Sequence, residues 1–210
     1  MSPRPYRLGQ RQVTADETRS RILNAAREQL EKEASFSIDA VARRADVARM
    51  TVYYQFGSRR GLLEALFDDL AAGGGIPQLP SAFQEPDPML ALDRLIEIFA
   101  HFWSSARVVH RRLRAIAVLD PELLQALVDR NELRRRGLRV ILSRHATPAD
   151  SQPIDNLVDL LFVLSSFESF DMLAGGDRTP DDVVPIVKQA AAAILRSGVK
   201  TGSDPRTRAR

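Results

Sequence analysis

Helical spacing of apolar residues is the feature that most constrains the fold of this 210-residue chain. Apolar side chains recur at intervals of three and four residues in almost every segment, and runs of strict alternation, which a half-buried strand requires, are missing. Ile22, Ala26 and Leu30 show the pattern, because they share one face of a helix predicted from about 15 to 32. Thr14 and Glu17 have the spacing of a capping box, so Thr14 is the predicted cap of this helix. The sequence therefore predicts an all-α protein of about nine helices.

Short helices with clear boundary signals follow the first one. Ser37 is a good capping residue for the segment SIDAVARRA, which has its apolar residues on one face. A second short helix is predicted from about 49 to 56, and a longer one begins after Ser58. Several short helices packed together indicate a compact N-terminal domain.

A glycine- and proline-rich stretch then interrupts the periodicity. Gly73, Gly74 and Gly75 are followed by four prolines up to Pro88, which is typical of a linker, so we place a domain boundary near residue 73. The termini, 1–14 and 200–210, are predicted to be a flexible basic arm and a disordered basic tail. Between linker and tail the predicted helices are at about 88–105, 107–118, 121–145, 153–174 and 180–197.

Charge is distributed unevenly along the chain. Residues 1–60 hold 12 Lys or Arg against 7 Asp or Glu, a net charge of +5, which leaves about −2 for the rest. A basic N-terminal part favours a polyanionic partner, although a solvated basic surface accounts for the charge equally well. With no cysteine and no run of about 18 apolar residues, we expect a cytoplasmic protein without disulfides or membrane spans.

The predicted helix at 49–56 is unusually polar on the outside. Val52 and Phe56 are four residues apart and are the expected buried anchors, whereas the other positions face outward. A helix this short is not stable alone in water, so packing must hold it against its neighbours. Two short helices joined by a tight turn, the second rich in hydrogen-bonding side chains, are typical of a helix-turn-helix reader of the DNA major groove.

The segment FSIDAVARRADVARMTVYYQFGSRRGLLEAL, residues 36–66, resembles the DNA-binding signature of the TetR (tetracycline-repressor) family of transcriptional regulators. The resemblance covers residues 15–70 at the level of motifs, and beyond them only length and helical pattern agree. It implies a three-helix helix-turn-helix domain over 15–72 and a helical effector-binding and dimerisation domain over 73–199.

The resemblance also implies which side chains contact DNA. Arg49 would read a guanine through two hydrogen bonds, and Met50 would offer an apolar surface to a thymine methyl. Arg59 would hold the phosphate backbone without specifying sequence. The implied base-edge residues are Arg49, Met50 and Tyr53, and the implied sugar-phosphate residues are Ser37, Thr51, Tyr54, Gln55 and Arg59. For Arg4, Arg7 and Arg11 in the arm, contact with the duplex and a merely solvated tail are equally open.

Three positions depart from the usual family pattern. Asp46 stands in the turn where glycine is common, and aspartate tolerates left-handed backbone less well than glycine but better than most residues. Gln55 replaces a commoner histidine, and Gly61 replaces a frequent acidic capping partner of Ser58. We expect the DNA-binding surface to survive all three changes.

The second domain is predicted to bind an effector and to dimerise. Small residues from Ala190 to Ala193 and the very apolar segment 157–167 favour close helix packing, and the resemblance implies a four-helix dimer bundle. The predicted interface residues are Leu157, Leu161, Leu164, Ala190, Ala193 and Ile194. The candidate pocket residues are Phe99, Phe102, Trp103, Arg107, His110, Phe167, Glu168 and Asp171, an apolar set with a few polar groups.

No catalytic motif accompanies these features. Histidines are scattered, and neither G-x-S-x-G nor H-E-x-x-H occurs, so we expect no enzyme, no metal site and no cofactor. The expected function is transcriptional regulation by a homodimer that binds a near-palindromic DNA operator and responds to a small molecule. The alternative is a helical ligand-binding or scaffolding protein without specific DNA recognition.

Overall fold

The computed structural model of the chain describes residues 6–33, 35–144 and 154–199, without the side chains of 6–12 and 197–199. Over these residues all regular structure is helical, which confirms the predicted all-α class. Within the described part of the chain, no helix is both long and apolar enough to cross a membrane. The helices are α1 (Tyr6–Lys32), α2 (Ile38–Arg44), α3 (Arg49–Phe56), α4 (Arg59–Gly73), α5 (Leu79–Gln84), α6 (Pro88–Ser105), α7 (Arg107–Ala117), α8 (Pro121–Ser143), α9 (Ile154–Leu164), α10 (Phe167–Ala174) and α11 (Val184–Val199).

The chain forms two compact units. One comprises Met1–Leu70 and Val108–Ala126, and the other Ala71–Arg107 and Leu127–Arg210. The first break lies close to the predicted boundary at residue 73. The segment Val108–Ala126, however, belongs to the first unit although the sequence assigned it to the second domain. Long-range packing decides this, since Arg112 on α7 donates to the Leu30 carbonyl of α1 at 2.5 Å.

The core of the first unit uses the predicted apolar faces. Ile22, Ala26 and Leu30 of α1 are fully buried, as is Val41 of α2, and they are joined by the apolar face of α4. The Ser37 hydroxyl accepts from the Ala40 N–H at 3.2 Å and so caps α2, as predicted. The predicted bounds of α2 and α3 are confirmed.

Helix α1 begins earlier than the sequence indicated. It starts at Tyr6 instead of about residue 15, so Thr14 lies inside the helix, where its carbonyl accepts from the Thr18 hydroxyl at 2.8 Å. The predicted capping function of Thr14 is therefore wrong. Residues 6–14 contain no proline and a single glycine, so nothing in them stops the helix from extending. Arg4 and the predicted tail 200–210 lie outside the described residues.

In the second unit, two differences from the predictions account for eleven α-helices in the described residues instead of about nine. The predicted linker contains a 3₁₀ turn, Ile76–Gln78, and the helix α5, whose Ala82 is fully buried. The helix predicted at 153–174 is in fact two helices, α9 and α10. The break falls at Ser166, whose hydroxyl accepts from the Ser169 N–H at 3.2 Å and starts a new helix. Local hydrogen bonding by serine thus overrides an otherwise continuous apolar pattern.

Candidate nucleic-acid interface

The turn between α2 and α3 depends on Asp46. This residue has φ +52°, the left-handed conformation that glycine usually supplies. The Val47 N–H donates to the Ala42 carbonyl at 3.0 Å, which closes the turn at the end of α2. The expectation that aspartate preserves this turn is confirmed, and α3 follows after only two further residues.

Helix α3 is anchored on one side and exposed on the other. Val52 is 1% exposed, whereas Met50 is 71% and Tyr54 88% exposed. Phe56 is half-buried beneath Arg19 of α1, with the guanidinium carbon 4.5 Å from the ring centroid. Since large side chains are left in water while the helix backbone is fixed, α3 presents a rigid outward surface.

Arg49 is held by residues of both short helices. Its Nη1 lies 3.3 Å from Asp39 Oδ1 on α2, and its Nη2 donates to the Tyr53 hydroxyl at 3.3 Å. The hydrogen bond to Tyr53 and the charge of Asp39 raise the pKa of Arg49, so this side chain stays cationic. Asp39 was not among the residues predicted from the sequence. Its place in the first turn of α2, next to the capping Ser37, was the available signal.

The residues predicted to contact the sugar-phosphate backbone are not equally available. Ser37 is exposed, although its hydroxyl already caps α2. Thr51 is half-buried and Tyr54 is open to solvent. Gln55 is directed toward α1, because its Nε2 donates to the Ala15 carbonyl at 3.5 Å. Tyr54 is therefore the member of this set most accessible to a partner, and the DNA contacts themselves stay predictions.

Arg59 is engaged within its own unit. Its guanidinium forms an ion pair with Asp120 and lies over the Phe36 ring, 5.6 Å from the centroid. Asp120 also accepts from the Leu123 N–H at 3.1 Å and so starts α8. Burial acts to raise the pKa of Asp120, but the hydrogen bonds from Arg59 and Leu123 and the Arg59 charge bring it below its usual value. A phosphate contact by Arg59 would thus require this residue to share or exchange its partner.

The start of α4 explains the glycine at position 61. The Ser58 hydroxyl accepts from the Gly61 N–H at 2.9 Å, which confirms that Ser58 caps this helix. A Cβ atom on residue 61 would overlap the Phe56 carbonyl oxygen at the end of α3. Glycine therefore allows α3 and α4 to follow each other closely, and an acidic side chain at this position would not fit.

Comparison with known proteins matches this part of the chain to a family. Residues 22–66 match the family model described as bacterial regulatory proteins, tetR family. The N-terminal domain belongs to the TetR family. Every residue predicted to contact DNA, from Ser37 to Arg59, lies inside the matched TetR-family segment. The domain is therefore the DNA-binding domain of a transcriptional regulator, and the resemblance inferred from the sequence is confirmed.

Solved structures extend the likeness to most of the chain. The TetR-family regulator PfmR from Thermus thermophilus has a TM-score of 0.60 and 20% identity, over 84% of this chain and 97% of that protein. A TetR regulator from Haloarcula marismortui has a TM-score of 0.65 and 16% identity, over 88% of this chain and 100% of that protein. NalD is the secondary repressor of the MexAB-OprM multidrug efflux pump in Pseudomonas aeruginosa. It has a TM-score of 0.63 and 19% identity, over 90% of this chain and 100% of that protein. At these identities the likeness shows the fold alone, and no curated protein sequence matches the chain.

The aromatic residues of the predicted pocket lie together in the second unit. With Phe162, which was not predicted and shares the Arg134 guanidinium with Phe99, they form what we call the aromatic cluster: Phe99, Phe102, Trp103, Phe162 and Phe167. The rings of Phe102 and Trp103 are 4.6 Å apart between centroids, and Phe167 meets Trp103 edge-on at 5.8 Å. The indole of Trp103 donates to the Ser165 carbonyl at 3.2 Å. The predicted aromatic residues therefore do lie together, and they are buried.

Of the polar members of the predicted pocket, Arg107 and Asp171 are paired with each other, whereas Glu168 and His110 are not part of this pair. Arg107 forms an ion pair with Asp171 at 2.5 Å and donates to the Gly175 carbonyl at 2.7 Å, so its side chain is held at the end of α10 within the second unit. Glu168 is exposed. His110 is buried in the first unit and not in the second. The pocket as a binding site stays a prediction.

A buried arginine that was not predicted from the sequence lies against the aromatic cluster. Arg134 of α8 is 6% exposed and its guanidinium carbon is 4.2 Å from the Phe162 ring centroid. It donates to the Phe162 carbonyl and to the Ser165 hydroxyl, both at 3.0 Å. Its spacing from Leu138 and Ile141, four and seven residues on, was a usable signal, because it places Arg134 on the apolar stripe of α8.

The residues predicted for the dimer interface are divided between core and surface. Leu157 and Leu161 are 8% and 2% exposed and belong to the core of the second unit. Leu164, Ala190 and Ile194 are half-buried, and Ala193 is exposed. The apolar residues that α9 leaves open are Leu160 and Val163, at 49% and 62% exposure.

Proposed function

We propose that the protein is a homodimeric repressor that binds a near-palindromic DNA operator through α3 and is released by a small-molecule effector. The observation that supports this most is the exposure of Met50 and Tyr54 on a short helix fixed by the buried Val52. Side chains of this kind on a supported helix suit insertion into the major groove, where they reach base edges and phosphates. Repression follows because a protein bound at a promoter blocks it without further contacts.

A dimer would place two α3 helices one DNA turn apart. Helix-turn-helix dimers bind half-sites separated by about 34–36 Å, which requires a fixed distance between the two reading helices. The exposed Leu160 and Val163 of α9, together with Ala193 and Ile186 of α11, offer apolar surface for the contact between protomers.

Release from DNA would follow because effector binding and DNA binding are thermodynamically linked. An effector that prefers a dimer conformation with the wrong α3 spacing weakens DNA binding, and DNA weakens effector binding by the same factor. The aromatic cluster, with Arg134 beside it, favours an effector with aromatic or other apolar groups. The mechanism needs no catalytic residue.

A gel-shift assay tests DNA recognition directly. The protein is titrated against duplexes enriched from a randomised library and against its own upstream intergenic DNA, at two salt concentrations. Preference for particular duplexes that persists at the higher salt supports the proposal. Weak binding of all duplexes, lost as salt rises, supports the alternative of a helical ligand-binding or scaffolding protein.

Light scattering tests the dimer. Val163→Glu places a charge in the exposed apolar surface of α9 and should yield a monomer, whereas Met172→Glu, at an 84% exposed position of α10, serves as the matched control. A wild-type protein that is monomeric at micromolar concentration would contradict the proposed dimer.

A further inference from the structure

Asp39 is an acidic residue on a surface that is expected to approach polyanionic DNA. It lies in the first turn of α2 and is exposed, two residues after Ser37. A carboxylate at this place costs affinity for every duplex, because it repels the phosphates. We infer that Asp39 is a positioning residue that directs the Arg49 guanidinium toward base edges and away from the backbone. This inference rests on the proposed function.

The geometry gives Arg49 two supports and leaves donors unused. Asp39 Oδ1 lies 3.3 Å from Arg49 Nη1, and the Tyr53 hydroxyl oxygen lies 3.3 Å from Arg49 Nη2. A guanidinium has five N–H donors, so these two contacts leave three that are able to address the O6 and N7 acceptors of a guanine. The two contacts therefore orient the Arg49 side chain and still leave N–H donors for a base.

The supports come from different elements. Tyr53 is one turn further along α3 than Arg49, whereas Asp39 belongs to α2, on the other side of the turn at Asp46. The direction of Arg49 is thus tied to the geometry of the whole helix-turn-helix and not only to its own helix. A surface arginine without such contacts would instead populate many rotamers. It would then bind phosphates as readily as base edges.

Asp39 contributes to specificity in a second way. Specificity is a difference between two affinities. Repulsion by the Asp39 carboxylate weakens binding to every duplex, whereas only the operator regains affinity through the contact of Arg49 with its guanine. In the proposed complex, Arg49 contacts Asp39 and the guanine at the same time, so the charge of Asp39 is compensated. On any other duplex the repulsion between Asp39 and the phosphates is not offset by a base contact.

The simpler role for Asp39 is to stabilise α2, since an acidic side chain in the first turn interacts favourably with the helix N-terminus. Ser37 already accepts from the Ala40 N–H at that end. A helix-stabilising role predicts a change in melting temperature and equal loss of binding to all duplexes. A positioning role predicts a change in base discrimination at one base pair.

The experiment compares Asp39→Asn with Asp69→Asn, which removes the same charge from an exposed position of α4 in the same unit. Duplexes enriched by the wild-type protein are used, together with variants carrying every single base-pair change. Arg49→Ala first identifies the base pair that Arg49 reads. At that pair, Asp39→Asn should reduce discrimination by about fivefold, the lower end of what a bidentate arginine–guanine contact supplies.

Two further readings complete the test. Asp39→Asn should bind non-operator duplex about twofold to threefold more tightly than wild type, because a repulsive charge is gone. In the double variant with Arg49→Ala, the loss of Asp39 should cost no further discrimination, because the two residues act as one unit.

The outcomes separate the two hypotheses. If the wild-type protein prefers no duplex, the proposed function fails and the inference with it. If the wild type discriminates and Arg49→Ala relaxes one position, but Asp39→Asn behaves like Asp69→Asn, the inference alone is overturned. It is also overturned if Arg49→Ala leaves every base preference intact.

Discussion

The surface of α3 and the aromatic cluster of the second unit both combine aromatic rings with an arginine, but in opposite surroundings. Arg49 is 5.6 Å from the Tyr53 ring centroid and its side chain is 58% exposed, whereas Arg134 is 4.2 Å from that of Phe162 and is 6% exposed. An exposed pair exchanges its partners at little cost, because water replaces what is lost. A buried arginine has no such replacement. The exposed arrangement therefore suits recognition of DNA, whereas the buried arginine stabilises the aromatic cluster at which we propose that an effector binds.

Replacing Arg134 should give the largest effect on stability. Arg134→Ala removes the buried hydrogen bonds that Arg134 donates to the Phe162 carbonyl and the Ser165 hydroxyl. It also removes the stem that packs on Phe162, so we expect a loss of about 3 kcal/mol in the free energy of unfolding. Arg49→Ala should change it by less than about 0.5 kcal/mol. Urea denaturation measures both. Equal losses would contradict the contrast between the two arginines.

Gly61→Ala tests the close approach of α3 and α4. The added Cβ overlaps the Phe56 carbonyl oxygen, so the backbone at the end of α3 must shift, at a cost of about 2 kcal/mol. Gly73→Ala is the matched control, since a Cβ there meets nothing within 4 Å. Thermal unfolding distinguishes them, and a neutral Gly61→Ala would mean that α3 is not held at its end as described.

Tyr54→Ala separates recognition from stability on the exposed side of the comparison. At 88% exposure the side chain contributes little to the core, so the free energy of unfolding should change by less than about 0.5 kcal/mol. Operator affinity should fall by about tenfold, the equivalent of one strong hydrogen bond. The 84% exposed Met172 provides the control, since Met172→Ala should alter neither quantity. Unchanged operator binding by Tyr54→Ala would remove Tyr54 from the interface.

The smallest expected effect concerns the ion pair of Arg59 with Asp120. The folded state lowers the pKa of Asp120, so the pair stabilises the protein above the usual aspartate range near pH 4 and this stabilisation is lost as pH falls through the lowered pKa. Asp120→Asn should cost about 1 kcal/mol at pH 7. The substitution should also make the free energy of unfolding depend less on pH between about pH 5 and pH 3.

The same variant bears on DNA binding. Because Asp120→Asn releases Arg59 from its ion pair, operator affinity should rise slightly, by about twofold, if Arg59 contacts a phosphate. Urea denaturation across this pH range and gel shifts at pH 7 provide the two measurements. An unaltered pH profile would show that the pair contributes nothing to folding.

The sequence by itself determined the helical class and most of the first unit. Apolar spacing located the buried Ile22, Ala26 and Leu30 and the anchor Val52, and Ser37 and Ser58 marked the starts of α2 and α4. These features depend on interactions within one or two turns, which neighbouring residues specify. The order of residues from 36 to 66 was also sufficient to recognise the TetR-family domain.

Only the tertiary structure decided which polar side chains are already engaged. Asp120 is 61 residues from Arg59, Ala15 is 40 residues from Gln55, and Ser165 is 31 residues from Arg134. Helical periodicity assigns a residue to a face but not to the partner that this face meets, because that partner comes from a distant part of the chain. For the same reason, the burial of Leu157 and Leu161 and the support of Arg49 by Asp39 became visible only once the helices were packed.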